Sequence, residues 1–426
     1  MKVLLLNTSE RTGGAAIACN RLMEALNANG VEAKMLVRDK QTDNPYVVSV
    51  NTNSWKKSIN LCRFLWERLV IFLHNGFSKQ DLFKVSIANT GNDICRHPLV
   101  QEADIIHLHW INQGFLSLKG VDKLIQLGKP IVWTMHDQWL FTGLCHYING
   151  CENYNNYCHH CPQINSKLGK DLSSLIFKKK KNIFQADKSI TLVGCSNWIA
   201  ESAKESAVLG TAISVTSIPN AINISQYQNH NSTDSFRKEF NLPKSKKLIL
   251  FGACKATDKR KGVDFMIAAC KQLLNYSISS EVAVVVFGSK SEELSDLLDV
   301  PVINVGYINS SDQMVSLYNA VDLFLIPSLE DNLPNTIMEA MACGTPCVGF
   351  NTGGIPEMID HKINGYVAGY KDAEDLANGI HWVLEESDYM QLSQNARKKV
   401  EECYSEAVVA KQYKELYQKL CHETES

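Results

Sequence analysis

Between Pro327 and Pro346, acids, amides and hydroxyls follow one another in an order that suits the capture of a phosphate and a sugar. The apolar run Leu323 to Ile326 reads as a buried strand, and a loop holding Glu330 and Asp331 follows it. A helix then starts near Asn335 or Thr336, residue types that suit a cap or first turn. Backbone N–H groups left over at such a start, beyond the carboxyl end of a parallel strand, form an anion site, and phosphate is its natural guest. Glu339 lies one turn in and has the reach for ribose hydroxyls, as acids do in dinucleotide sites. Asp331 stands where a carboxylate can bind sugar hydroxyls beside a diphosphate. Upstream, Lys255, Lys259, Arg260 and Lys261 follow the apolar strand Leu248 to Phe251. A cation there would offset the charge on a departing diphosphate, most fully in the transition state. Lys255 and Lys261 are the candidates, and a solvated loop is the preferred reading of Lys259 and Arg260.

Further candidates lie nearer the amino terminus. Gly13 and Gly14 follow the first strand, Val3 to Leu6, and open a helix; glycines there let backbone approach a ligand closely. His107 and His109 alternate at the end of one strand, and His136 closes the next, at the carboxyl ends where active residues gather. Each has a buried structural histidine as its alternative, favoured for His107. Cys145, Cys151, Cys158 and Cys161 have the spacing C-x5-C-x6-C-x2-C in a loop from 143 to 165. That spacing is compatible with a tetrahedral structural zinc, against four free thiols or one labile disulfide. A metal or other cross-link is the reading preferred, because the loop has little apolar material to order it.

The whole run from Pro327 resembles the signature of retaining glycosyltransferases of family 4, E-x7-E followed by A-x-A-x-G-x-P. Here it stands as Asp331-x7-Glu339 and Ala340-Met341-Ala342-Cys343-Gly344-Thr345-Pro346, with Asp in place of the first Glu. Ile218-Pro219-Asn220-Ala221-Ile222-Asn223 resembles the family's P-N-G-[IV]-D hinge, and Gly353-Gly354-Ile355-Pro356-Glu357 one of its later loops. Lys261-Gly262 matches the second half of its G-R…K-G pattern; the Arg is absent, Ala253 follows Gly252, and Lys255 is the nearest substitute. The resemblance implies that Glu339 binds the donor ribose and Asp331 the transferred sugar. It also gives Asn332, Leu333, Asn335 and Thr336 donor contacts, and sets Gly13 and Gly14 near the donor phosphate. His109 or His136 would line the acceptor site. The cysteine loop resembles an insertion of exopolysaccharide and colanic-acid-type members. No cofactor is implied for catalysis.

These residues need two parallel sheets to position them, and strand and helix signals alternate almost throughout. The expected fold is α/β, of the GT-B type: two Rossmann-like domains facing a cleft. Residues 1–218 form the acceptor-side domain, 219–243 a polar connection, and 244–395 the nucleotide-sugar domain. Residues 396–426 are helical and either close the second domain or pack back on the first. The implied activity is transfer of a sugar from a UDP- or GDP-type donor to a sugar or lipid-linked acceptor in bacterial surface polysaccharide synthesis. A nucleotide-sugar epimerase and a catalytically idle binding subunit are the alternatives.

The totals agree with that frame. A chain of 426 residues exceeds one ordinary core, and 45% hydrophobic with 21% charged residues is a soluble globular balance. A formal charge of −2 gives no sign of a nucleic-acid binder. The opening Val3 to Leu6 is too short for a signal-peptide core, and 14 mostly scattered cysteines suit a reduced compartment, so a cytoplasmic site is expected. Leu61 to His74 is too short and charged to span a bilayer; its helical spacing reads first as a core helix and second as one lying on a membrane surface. The lysines 178–181 read as a solvated face, or as a contact with anionic lipid at the inner membrane face.

Overall fold

Runs of branched and aliphatic residues become the strands of two wholly parallel sheets in a computed structural model that describes residues 1–165, 171–185, 190–210, 213–228 and 233–425. The chain divides into two units, Met1–Ala221 with Val409–Ser426, and Ile222–Val408. In the first, β1 (Lys2–Ser9), β2 (Glu32–Asp39), β3 (Val47–Ser49), β4 (Ile105–Leu108), β5 (Ile131–Met135), β6 (Ile190–Gly194) and β7 (Ser214–Ser217) pair in the order β3-β2-β1-β4-β5-β6-β7. In the second, β8 (Lys247–Lys255), β9 (Val282–Ser289), β10 (Val302–Gly306), β11 (Leu323–Ile326), β12 (Cys347–Phe350) and β13 (Gly365–Ala368) pair as β10-β9-β8-β11-β12-β13.

Each sheet reverses its strand order once, between β1 and β4 and between β8 and β11. At such a reversal the connections leave in opposite directions and open a crevice beyond the carboxyl ends of the two strands. Alternation along β1 feeds both faces of the first sheet. Leu4 and Leu6 join one core with Ile106 and Leu108, while Val3 and Leu5 join another with Val132 and Val193. A third core, with Val284, Val286, Leu325 and Val348, lies in the second unit.

The segment 219–243 is more than a connection. It contains the helix Thr233–Glu239, whose buried Arg237 donates to Ala320 O at 2.9 Å and to Asp322 Oδ2 at 2.8 Å. A guanidinium that satisfies carbonyls and one carboxylate can be buried where a lysine could not. The chain's last stretch forms two helices, Tyr389–Cys403 and Glu406–Glu425. The first belongs to the second unit, where Arg397 donates to Ala342 O at 2.6 Å. The second enters the core of the first unit from Val409 onward, with Tyr413 and Tyr417 buried. Tyr417 OH lies 2.7 Å from His107 Nδ1, His107 Nε2 2.7 Å from Thr134 Oγ1, and Tyr413 OH 2.8 Å from the same hydroxyl.

Two sequence readings are corrected here. The helix Ser54–His74 buries Asn60, Glu67, Arg68 and Ile71 and exposes Leu61, Leu65 and Leu69, so it is not a core helix with an apolar stripe inward. Of the lysines 178–181, Lys180 is fully buried. It donates to Thr142 O at 3.0 Å and to Trp139 O, and burial pulls its pKa down to about 7.

Tyr417 is the test of the terminal helix. Tyr417→Ala should lower the stability of the first unit by about 3 kcal/mol, as loss of a buried aromatic does. Tyr417→Phe should cost about 1 kcal/mol for the hydrogen bond alone. Urea denaturation of the whole chain, followed by tryptophan fluorescence, measures both.

Candidate functional site

In the second unit the residues after β8 fold back on those after β11, at the reversal of the sheet. Asp258 accepts from Arg260 N at 3.0 Å and caps the short turn Lys259–Lys261. Gly262 follows at φ 75°, and a Cβ there would lie 1.7 Å from the carbonyl oxygen of Pro327. Only glycine allows that approach, which fixes Leu329 N 2.8 Å from Arg260 O. The approach brings Lys261 Nζ onto the Asp331 carboxylate. Ser328 Oγ donates to the same oxygen at 3.2 Å. Arg260 lies 3.8 Å from it and donates to Glu330 O at 2.7 Å. Burial pushes the Asp331 carboxyl up, but Lys261, Arg260 and the hydrogen bonds outweigh it and hold Asp331 below the ordinary carboxylate value. Gly353, at φ 58°, leaves room for Asp331 from the other side: a Cβ there would sit 1.8 Å from Asp331 O.

The helix Asn335–Ala342 starts after Pro334, and no side chain caps it. Asn332 and Leu333 are buried in the loop before it, while Asn335 and Thr336 are partly open. Glu339 accepts from Tyr318 OH at 3.2 Å, which holds the carboxylate on the helix face shared with that tyrosine. Lys261 and Asp331 thus meet at the loop that leads into this helix, and Glu339 lies one turn along it. Lys255 is exposed at the end of β8. Arg260 is not the solvated loop residue that the sequence suggests. Its side chain is 26% exposed and turned to the Asp331 loop, whereas that of Lys259 is 85% exposed. Nothing local in the sequence distinguishes the two; the partner of Arg260 lies some seventy residues on.

In the first unit the reversal brings the end of β1 beside the residues after β4. Thr8 N donates to Trp110 O at 2.8 Å, and Trp110 N to Asn7 Oδ1 at 2.8 Å. Buried Glu10 accepts from Gln41 N at 2.5 Å and Thr42 N at 2.9 Å, which anchors the loop leading to Gly13. Gly13 has φ 92°, in the region that favours glycine, and precedes the helix Gly14–Ala28, again without a side-chain cap.

His109 and His136 are hydrogen-bonded to each other, Nδ1 to Nε2, at 2.9 Å. His136 Nδ1 lies 3.4 Å from the Cys195 thiol. Burial, with neighbouring imidazoles, holds His107 at about 3 and His109 well below its ordinary value; burial holds His136 at about 4. All three rings are therefore neutral near pH 7. Burial also pushes the Cys195 thiol up, so it keeps its proton and can donate to His136 Nδ1. His109 Nε2 is a buried atom without a hydrogen-bond partner among the described residues. His107, bonded at both nitrogens, is structural. Sequence reasoning did not single out Asp137, His146 or Trp110. Asp137 Oδ2 takes His146 Nδ1 at 2.6 Å and Trp110 Nε1 at 2.9 Å, and these bonds overcome burial to keep its carboxyl below the ordinary value.

The four loop cysteines line one cavity with Gly143 and His159, and Gly143 N donates to Cys158 Sγ at 3.3 Å. All four are free thiols. Among the described residues no group of three or more His, Cys, Asp or Glu side chains is placed to hold a metal ion. Nor is the loop short of apolar material: Leu144, Tyr154 and Ile164 enter the main core of the first unit.

Lys261, Asp331 and Glu339 fall within a stretch of known type. Residues 232–399 match the family described as Glycosyl transferases group 1. The chain is 30% identical to an uncharacterized glycosyltransferase of Methanocaldococcus jannaschii over 43% of its own length and 47% of that protein. It is 29% identical to the amylovoran biosynthesis glycosyltransferase AmsK of Erwinia amylovora, over 41% of its length and 45% of that protein. It thus spans a little under half the length of these curated relatives. In three dimensions it resembles sucrose-phosphate synthase from Thermosynechococcus elongatus, with a TM-score of 0.67 and 18% identity over 98% of both chains. It also resembles HepE of Anabaena, solved with UDP and glucose, with a TM-score of 0.63 and 17% identity over 98% of this chain and 100% of that one. The two-sheet architecture is the GT-B fold.

The depressed histidines make a pH prediction for the first unit. An imidazole held at about 3 when folded and near 6.5 when unfolded stabilises the fold fully above about pH 6.5, and that stability is lost as pH falls toward the folded value. Between pH 6.5 and 5, His107→Gln should remove up to about 1.4 kcal/mol per pH unit from the slope of unfolding free energy. Urea titrations at several pH values in that window read the slope, whatever the substitution costs outright.

Proposed function

We propose that this chain is a retaining glycosyltransferase of family 4. It moves a sugar from a UDP- or GDP-sugar to a sugar acceptor, lipid-linked, in bacterial surface polysaccharide synthesis on the cytoplasmic side of the membrane. The observation that carries the reading is the meeting of Lys261, Arg260 and Asp331 at the reversal of the second sheet, beside an uncapped helix start that leads to Glu339. The donor diphosphate would lie against the helix start and the two cations, with its ribose on Glu339. As the glycosidic bond breaks, negative charge builds on the diphosphate, and Lys261 and Arg260 offset it where it grows.

The state of Asp331 bears on the mechanism. A carboxylate paired with Lys261 and held below its ordinary value is a weak base and a poor nucleophile. It suits binding of the sugar hydroxyls better than attack on the anomeric carbon. The proton of the incoming hydroxyl then passes to the departing diphosphate oxygen on the same face of the sugar, which retains the configuration. His109 and His136, hydrogen-bonded to each other, are assigned to the acceptor side. The name of AmsK supports the polysaccharide reading, and the UDP in the HepE structure supports the donor class.

The test starts from a thermal-shift panel of UDP, GDP and their common sugars. One nucleotide class should raise the melting temperature by roughly 5 °C at a hundredfold excess over its dissociation constant. Glu339→Ala should abolish transfer from that donor while leaving the fold intact, and Arg260→Ala should weaken nucleotide binding about tenfold, the worth of a charge-assisted contact. Unchanged turnover in Glu339→Ala would overturn the assignment. Conversion of the donor alone into a new sugar nucleotide would favour an epimerase instead.

A further inference from the structure

The helix Ser54–His74 is turned inside out for a soluble protein. Its inner side buries Ile71 among polar, tightly bonded groups: Glu67 Oε1 accepts from Ile87 N and Ala88 N at 2.9 Å each, Glu67 lies 3.2 Å from Arg68, and Arg68 donates to Val85 O at 3.1 Å. Asn60 Nδ2 donates to Asn51 Oδ1 at 2.6 Å. Gly114, at φ 81°, lets the helix backbone come close, since a Cβ there would stand 2.9 Å from Phe64 N. These bonds fix which side faces out. The outward arc from Leu61 round to Ile59 covers roughly 160° of the helix and carries two hydroxyls, Ser54 and Ser58, among otherwise apolar side chains. Trp55 is 74% exposed, Leu61 57%, Leu65 53%, Trp66 56% and Leu69 45%. Trp55, Ile59, Cys62 and Trp66 line an open groove on this side. Phe77, 66% exposed, packs edge-on to Phe72 and extends the surface past the end of the helix.

A contiguous exposed apolar face of this size marks a contact with something. The charge around it says what. Between residues 54 and 84 stand six Lys or Arg against two Asp or Glu, in a chain whose formal charge is −2. Both acids are committed, Glu67 to Arg68 inside and Asp81 to Lys84 at 3.0 Å. Lys56, Lys57, Lys79 and Lys84 are exposed. Two copies of this face would bring like charges together, whereas an anionic bilayer complements the cations and takes the tryptophans at its interface. Among the described residues no helix is long and apolar enough to cross a membrane, so the helix would lie on the surface.

We infer that the outward face of Ser54–His74 is a docking surface for an anionic lipid bilayer, with Trp55, Leu65, Trp66 and Leu69 entering the headgroup boundary and Lys56 and Lys57 pairing with phosphates. The inference stands apart from the donor site. It adds that the first unit works at a membrane surface, where a lipid-linked acceptor would be presented.

Co-sedimentation of the full chain with vesicles tests it. The wild type should pellet with phosphatidylglycerol–phosphatidylcholine vesicles and only weakly with phosphatidylcholine alone. Trp55→Ser with Trp66→Ser, and separately Lys56→Glu with Lys57→Glu, should each reduce partitioning about tenfold or more. Both double variants alter exposed side chains and should keep the wild-type circular dichroism and melting temperature. Absence of wild-type binding, or undiminished binding by the tryptophan variant, overturns the proposal. Equal binding to neutral vesicles removes the role of the anionic headgroup. Dimers in sedimentation equilibrium that dissolve in the tryptophan variant, without vesicle binding, would give the face to a second copy.

Discussion

A carboxylate removed from water must be paired or give up its charge, and in the second unit that requirement organises the loops at the reversal of the sheet. Asp331 keeps its charge because Lys261 reaches it, and Lys261 reaches it because Gly262 lies against Pro327 without a side chain between. Gly353 packs on the far side of the same residue. Two glycines with positive φ thus hold one ion pair in place, and the loop that contains it ends where the helix Asn335–Ala342 begins. Arg397, bonded to Ala342 O, steadies that helix from its other end.

The two units solve the same topological problem with opposite chemistry. Each gathers its candidate residues where the strand order reverses, beyond the carboxyl ends of β1 and β4 or of β8 and β11. In the second unit the groups are ionic and suited to a charged ligand. In the first they are imidazoles held neutral by burial, which can exchange hydrogen bonds with sugar hydroxyls but cannot act as counter-ions near pH 7.

The sequence was most legible where strands are buried on both faces. β11 and β12 could be read to the residue, since Leu323 to Ile326 and Cys347 to Phe350 are unbroken apolar runs bounded by turn signals. The four strands that escaped, β3, β7, β10 and β13, are the outermost strands of the two sheets. Most are half-covered: Val47–Ser49 and Ser214–Ser217 are short and carry serine or threonine, and Val302–Gly306 has no fully buried position. β13 is largely covered, but four residues beginning at Gly365 give no period to read. Within the site, the signature residues were found because their order is local. Arg260, Asp137 and Cys195 were missed as site residues because their roles depend on partners in other loops. The helix Ser54–His74 misled for another reason: its helical spacing was right, but the bonds of Glu67 and Arg68 to residues 85–88, which decide the inward side, leave no mark on periodicity.

The pairing of His107 with Tyr417 spans 310 residues, and the whole of the second unit is threaded between them. On the ribosome, at about 5–20 residues per second, roughly 15 to 60 s separate the emergence of the two side chains. Through that interval one face of the first sheet, with Val3, Leu5, Ile105 and Val132, has the helix Gly14–Ala28 against it but still lacks Tyr413 and Tyr417. The second unit can complete its own core in the meantime. The order of maturation is then the reverse of the order of synthesis, and the domain made first is the last to be finished.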